Sequence, residues 1–324
     1  MQRNEPHHTH ESGGKHRFVH DALFYDSDEG MLTTAVPFLA EGLAADDSVM
    51  LVCRSRLNHL LLDALDNDSR IVCGPQPGSL GQPTQVIAGY IDTIRDMVDP
   101  ATRLRVVGEV QFGTTRAEWI VWERYEAVIN RALAPCPLWG VCMYHTEELP
   151  DEILRAGELT HPTILTRDSH TPNPHYTDPS EFVRQLPHAD PDPLEQSTPT
   201  FEVPELHDVA GMRSEGGRLA RAGSALPLRK VENFVLAVTE VATNALQHGR
   251  RPVRVRLWAA PGQLVCTVTD RGEGFNDPLA GYAPAPAGDD RTAGKGLWLA
   301  RLLCDQLDTA RDPDGFTVRL RTEE

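Results

Sequence analysis

The sequence predicts two α/β domains in series. The first is a sandwich on a mostly parallel sheet, and the second is an α+β sandwich whose mixed sheet is covered by helices on one face. Three observations carry this. Strand-like and helix-like segments alternate over residues 17–165, a proline-rich stretch fills 166–200, and a long amphipathic helix pattern followed by a hairpin pattern dominates 201–324. The chain has 324 residues, room for two ordinary domains of roughly 100–200 residues each.

Residues 1–16 are polar and rich in histidine (His7, His8, His10, His16). They read as a disordered, solvated tail, with metal binding by the histidines as the alternative. They lack the apolar core of a signal peptide. Short apolar runs at 22–25, 48–53, 71–73, 104–107 and 138–144 have the length of buried strands. Between them, 33–43, 57–65, 86–97 and 118–133 carry apolar residues at helical spacing, the first of these closed by Gly42. Alternation of this kind argues for a parallel sheet covered on both faces.

Residues 166–200 hold seven prolines among Asp, Ser, Thr and His. Such a composition cannot bury a core and predicts an interdomain linker or an extended wrap over the surface.

Residues 228–248 repeat apolar side chains at Val231, Phe234, Val235, Val238, Val241, Ala242 and Ala245, one buried stripe of a long helix. Glu240, Asn244 and His248 stand four apart on another face, and Gly249 stops the helix. Segments 253–258 and 264–269 alternate about Pro261-Gly262, a hairpin pattern. The second strand runs into Asp270-Arg271-Gly272-Glu273-Gly274, where a carboxylate can read a ligand while glycines let the backbone approach it. After 279–292, rich in Ala, Pro, Gly and Asp, comes Gly294-Lys295-Gly296-Leu297 at a helix start. Free amides there, aided by the helix dipole, suit a phosphate. Strands at 309–311 and 315–320 complete the sheet.

Bulk properties exclude several classes. The net charge is −16 and the pI near 5.2, which weighs against a direct nucleic-acid partner, since phosphate binding needs clustered Lys and Arg. No apolar run reaches the roughly 18 residues of a membrane span. The six cysteines form no C-x-x-C pair, so they are expected to be reduced in a cytoplasmic protein.

In order, E-x-x-x-N-A-x-x-H-G, D-x-G-x-G and G-x-G-L resemble the GHKL nucleotide-binding family over about 201–321. The resemblance implies a Bergerat-type sandwich that binds ATP with Mg²⁺. Asn244 would ligate the magnesium, and Asp270 would bond the adenine amine with support from Thr317. Gly272 and Gly274 would pass beside the purine. Gly294, Lys295, Gly296 and Leu297 would meet the phosphates beneath a lid at 279–292. Glu240 falls where kinase and ATPase members keep a general base.

The wording T-E-V-A-T-N-A-L-Q-H-G most resembles the anti-sigma-factor serine/threonine kinases. That resemblance implies two partners: a sigma factor, and a STAS-type antagonist phosphorylated on a hydroxyl. Lys295 departs from that group, which often has a small or apolar residue there. A homodimer is compatible with this reading. A non-catalytic, nucleotide-gated sequestering module and an atypical histidine kinase remain alternatives. The proline-rich stretch cannot supply the helical hairpin that carries a phosphoacceptor histidine.

Residues 17–165 resemble the MEDS sensory domain. The residues that carry this are His20-x-x-Leu23-x-Tyr25, Pro37-Phe38-x-x-x-Gly42-Leu43, Gly108-Glu109, Trp122-x-x-Tyr125-Glu126-Ala127, Cys142-x-Tyr144 and Thr160-His161-Pro162. The resemblance implies a RecA-like core, yet Ala44-Ala45-Asp46-Asp47-Ser48 lacks a phosphate loop, so nucleotide hydrolysis is not expected there. His20, Glu109 and His161 are the candidate contacts for a sensory ligand, with structural hydrogen bonding as the alternative.

Overall fold

The first sheet grows from apolar strands too short to be helices, each returned to the sheet by a helix. In the computed structural model, residues 17–75, 82–99, 101–188, 190–284, 295–312 and 315–324 are described. The tail expected at 1–16, Gly294 and the 285–292 part of the expected lid lie outside them.

The first unit runs β1 (Val19–Tyr25), α1 (Asp28–Ala44), β2 (Ser48–Val52), α2 (Ser55–Ala64), β3 (Ile71–Cys73), α3 (Pro83–Met97), β4 (Leu104–Gly108) and α4 (Arg116–Ala132). It continues with β5 (Leu138–His145), α5 (Asp151–Thr160), β6 (Thr163–Thr166) and β7 (Ser169–Pro172). The seven strands are ordered β3-β2-β4-β5-β1-β6-β7, and every pairing is parallel except β6 with β7. Leu39, Leu51, Leu57 and Leu61 belong to the core on one side, and Ile87, Tyr125, Val128 and Leu133 to the core on the other.

Gly42 does not close α1. It lies inside the helix, which continues to Ala44. A Cβ on Gly42 would stand 2.6 Å from Arg105 Cδ, so the missing side chain makes room for that guanidinium stem. The helix also starts earlier than its apolar spacing suggests, because Ser27 accepts the Gly30 amide as N-cap.

Residues 166–200 run along both domains. β7 adds an edge strand to the first sheet, and α6 (Pro179–Gln185) buries Phe182 against Ala127 and Ala156. Further on, Trp258 Nε1 donates to the Ser197 carbonyl at 3.0 Å, Gln263 Nε2 donates to Asp192 at 3.0 Å, and Arg319 pairs with Glu195. Residues 192–197 thus lie against the outer face of the second sheet.

The second unit contains β8 (Phe201–Val203), α7 (Val209–Ser224), α8 (Leu228–His248), β9 (Arg254–Ala260), β10 (Gln263–Asp270), α9 (Lys295–Leu303), β11 (Gln306–Asp312) and β12 (Gly315–Glu323). The sheet order is β11-β12-β10-β9-β8. The expected mixed sheet is corrected: each of these pairings is antiparallel. The connection through α9 lays β11 one place beyond β10, and β12 returns between them, so no parallel neighbours form. One core joins Phe234, Val238 and Val241 of α8 to Val255, Leu264, Cys266 and Val318 of the sheet.

The two units meet along α3, α4 and α9. Leu279 and Tyr282 share a core with Val86, Ile87, Tyr125 and Val128. Arg124 Nη1 donates to Asp308 Oδ1 at 3.4 Å, and Gln85 Nε2 to the Leu302 carbonyl at 3.4 Å. Among the described residues no helix is long and apolar enough to cross a membrane.

Candidate functional site

Burial of Val231, Phe234, Ala237, Val238, Val241 and Ala242 fixes the rotation of α8. Glu240 and Asn244, one turn apart, therefore sit half-buried beside the N-terminus of α9. A Cβ on Gly296 would lie 2.7 Å from Glu240 Oε2 and 3.3 Å from Asn244 Nδ2. Three of the sequence-predicted residues thus converge, and any side chain at 296 would intrude on them.

Asp270 ends β10 and is buried, 7% exposed. Its Oδ1 accepts the Arg250 amide at 3.1 Å and the Gly272 amide at 2.5 Å. A Cβ on Gly249 would stand 2.5 Å from Asp270 Cγ, so the glycine that caps α8 also admits the carboxylate. Gly274 holds φ +74°, a left-handed conformation, with Phe316 packed where a Cβ would point.

Between these groups lies a cavity of about 490 Å³ lined by Asn244, Asp270, Gly272, Gly274 and Leu297, with Val241, Val268, Phe316 and Val318 as apolar walls. That volume falls in the usual range for small-molecule and cofactor sites, roughly 300–1,000 Å³. A nucleotide fits this donor set: apolar walls and an anchored carboxylate suit a purine edge, and an amide side chain beside a helix N-terminus suits metal-bound phosphates.

Other predicted residues stand elsewhere. Lys295 is exposed and does not line the cavity. Glu240 lies beyond the cavity wall, on the Gly296 side. Thr317 is corrected. Its hydroxyl bonds Thr269 Oγ1 at 2.9 Å, while its neighbours Phe316 and Val318 line the cavity. Strand alternation therefore turns Thr317 to the opposite face of the sheet from Asp270 and Val268.

In the first unit, His20 and His161 come together with ring centroids 3.9 Å apart. Glu109 lies outside that cluster but lines the same cavity as His20; its Oε2 accepts the Arg54 amide at 2.8 Å and its Oε1 the Arg54 Nε at 3.1 Å. Two residues that sequence reasoning did not single out as ligands, Glu126 and Cys142, complete the histidine cluster. Glu126 Oε2 is 3.2 Å from His20 Nε2 and 3.3 Å from His161 Nε2, and Cys142 Sγ is 3.4 Å from His20 Nε2. The available signal was an acid inside the apolar face Trp122, Tyr125, Ile129 and Leu133, since a carboxylate is rarely buried without a purpose. Burial lowers His20 to about 4 and His161 to about 3, and raises Glu126 to about 6, so both imidazoles are neutral near pH 7.

Comparison with known families matches residues 19–162 to MEDS, the methanogen/methylotroph, DcmR sensory domain, and residues 203–322 to the histidine kinase-like ATPase domain. No curated protein matches the chain. The two matches describe an ATP-binding regulatory protein with its sensor first and its nucleotide domain second.

Proposed function

Because the chain is a MEDS sensory domain joined to a histidine kinase-like ATPase domain, we propose that it is an ATP-dependent serine/threonine protein kinase of the anti-sigma-factor type, governed by its sensor. The observation that carries this is the placement of Gly296 against Glu240 and Asn244. Glu240, the proposed base, thus stands one helical turn from Asn244, the proposed metal ligand, just beyond the wall of the cavity that Asn244 lines.

Asp270 would accept from the adenine amine, and Asn244 would hold the Mg²⁺ that neutralises phosphate charge. Glu240 would take the proton of a partner's hydroxyl as that oxygen bonds the γ-phosphorus and ADP leaves. A hydroxyl on another protein is favoured because, among the described residues, the segment before β8 offers only the short α6 and a 3₁₀ turn (Pro193–Gln196), not a histidine-bearing helical hairpin. The shared core of Leu279 and Tyr282 with α3 and α4 supports control by the first domain, because the foot of the expected lid rests on it. The partners proposed are a sigma factor and a STAS-type antagonist.

The test is incubation of the full chain with labelled ATP, Mg²⁺ and candidate antagonists. Wild type should label a Ser or Thr of the antagonist, and Glu240→Gln should lose that transfer while still binding ATP. ATP-dependent capture of a partner without any transfer by wild type would instead make the chain a sequestering module. Acid-labile label on the chain itself would make it a histidine kinase.

A further inference from the structure

The histidine cluster of the sensory domain has the lone pairs of a metal site and, among the described residues, the weak Cys142 thiol as its one donor. Asn130 Nδ2 donates to the carbonyls of Glu126, Ala127 and Thr160 at 3.0, 3.3 and 2.8 Å. Three carbonyls around one nitrogen fix the amide orientation, so Asn130 Oδ1 is the acceptor that faces His20 Nδ1 at 3.1 Å. His161 Nδ1 faces the Gly157 carbonyl at 2.8 Å, which can only accept. Both rings therefore carry their proton on Nδ1, and both present a bare Nε2 to the same carboxylate oxygen of Glu126.

Three acceptors thus meet inside the protein. His20, Glu126 and His161 are each no more than 2% exposed. Among the described residues no N–H or O–H donates to the Glu126 oxygens or to His161 Nε2, and the Cys142 thiol is the one weak donor beside the carboxylate. Left without a cation, two bare ring nitrogens and a carboxylate oxygen face one another inside the protein. A metal ion would satisfy these lone pairs at once.

We propose that His20 Nε2, Glu126, Cys142 Sγ and His161 Nε2 form a binding site for one divalent transition-metal ion of borderline softness, zinc being the best match. The four donor atoms lie within 4.8 Å of one another. Ligand bonds of about 2.0–2.1 Å to nitrogen and about 2.3 Å to sulfur place tetrahedral neighbours about 3.3–3.7 Å apart. The observed separations of 3.2, 3.3 and 3.4 Å already have this scale. The carbonyl partners of both Nδ1 atoms are the outer-sphere arrangement that orients metal-binding imidazoles. Cys142 and His20 also line a mainly apolar cavity of about 50 Å³ bounded by Phe18, Tyr90, Trp122 and Tyr125, room for a small ligand beside the donor atoms. The ligand Glu126 shares α4 with Arg124 and Arg131, which pair with Asp308 and Asp277 of the nucleotide domain. Occupancy would therefore pull on the helix that touches the ATPase unit.

The test uses the full chain, stripped with a chelator and titrated with Co²⁺ and then Zn²⁺. One Co²⁺ per chain should produce a thiolate-to-cobalt charge-transfer band and intense tetrahedral d–d bands, both bleached by Zn²⁺. Cys142→Ser should abolish the charge-transfer band. Glu126→Gln and His161→Gln should weaken binding at least tenfold, with circular dichroism showing the fold retained. Should either of these unfold, Cys142→Ser still decides the question. A full chain with His7, His8, His10 and His16 all changed to Gln should keep the signal. The proposal is overturned if folded wild type gives no charge-transfer band, or if the signal follows the tail histidines instead of Cys142.

Discussion

Arg131 of α4 donates from Nη1 to Asp277 Oδ1 at 2.9 Å, joining the sensory domain to the foot of the segment that precedes α9. The pair is exposed, with side chains 56% and 36% accessible, so it adds little to global stability. Its value lies in position. Leu279, two residues on, is buried in the core shared by both domains, and Arg301 of α9 reaches back to the Ala280 carbonyl at 3.3 Å.

Arg131→Glu should therefore loosen the segment without unfolding either domain. Exposed ion pairs are worth about 0.2–1 kcal/mol, so nucleotide affinity should fall about two- to fivefold with the melting temperature nearly unchanged. The charge swap Arg131→Glu with Asp277→Arg should recover most of it. Titration with a fluorescent ATP analogue reads the effect. Equal affinity in all three proteins would show that the contact does not reach the cavity.

Asp270→Asn tests the purine end of the cavity. Asn keeps an oxygen for the Arg250 and Gly272 amides that hold Asp270 Oδ1, but it points an NH₂ where a carboxylate oxygen stood. An adenine amine would then face a donor in place of a charged acceptor. Affinity for ATP should drop at least about tenfold, or about 1.4 kcal/mol, while the fold persists. An unchanged dissociation constant by calorimetry would remove Asp270 from the binding set.

Much of this site could be read along the chain because it rests on local patterns. The apolar stripe of α8 shows at a period of 3.6, and it necessarily leaves Glu240 and Asn244 on a neighbouring face. Asp270 and its glycines likewise sit within five consecutive residues. What was illegible depends on register or on strand order. Thr317 changes face with a one-residue slip of β12, and only its pairing with Thr269 decides the matter. The cluster of His20, Glu126, Cys142 and His161 draws on β1, α4, β5 and the residue after α5. It exists because β5 and β6 flank β1 in the sheet, a non-local arrangement absent from any short window. Gly42 resembled a helix stop because the chain alone does not reveal Arg105 lying across it.

Asp47 and Arg105 show what the loop without a phosphate motif does instead. Arg105 Nε donates to Asp47 Oδ2 at 2.8 Å with side chains 5% and 7% exposed, and the guanidinium stacks 5.0 Å from Phe38 and 4.9 Å from Trp139. Asp47→Ala would leave a buried cation with the exposed Glu41 as its one ionic partner among the described residues. Breaking a buried pair from one side costs about 3–5 kcal/mol, and Glu41 and the Phe38 carbonyl should hold the loss near about 3. Urea unfolding of the variant checks this, and a loss under about 1 kcal/mol would contradict it.

Thr317→Val separates the position of that residue from its expected part in nucleotide binding. The hydroxyl bonds Thr269 on the face of the sheet covered by residues 192–197, not on the cavity side. Removing it leaves one buried hydroxyl without its partner, at a cost of about 1 kcal/mol in stability. ATP affinity should stay within about twofold of wild type, because Phe316 and Val318, which line the cavity, are untouched. Parallel measurements of thermal unfolding and ATP binding decide it. A large loss of affinity with unchanged stability would mean that Thr317 reaches the nucleotide after all, by a shift in the register of β12.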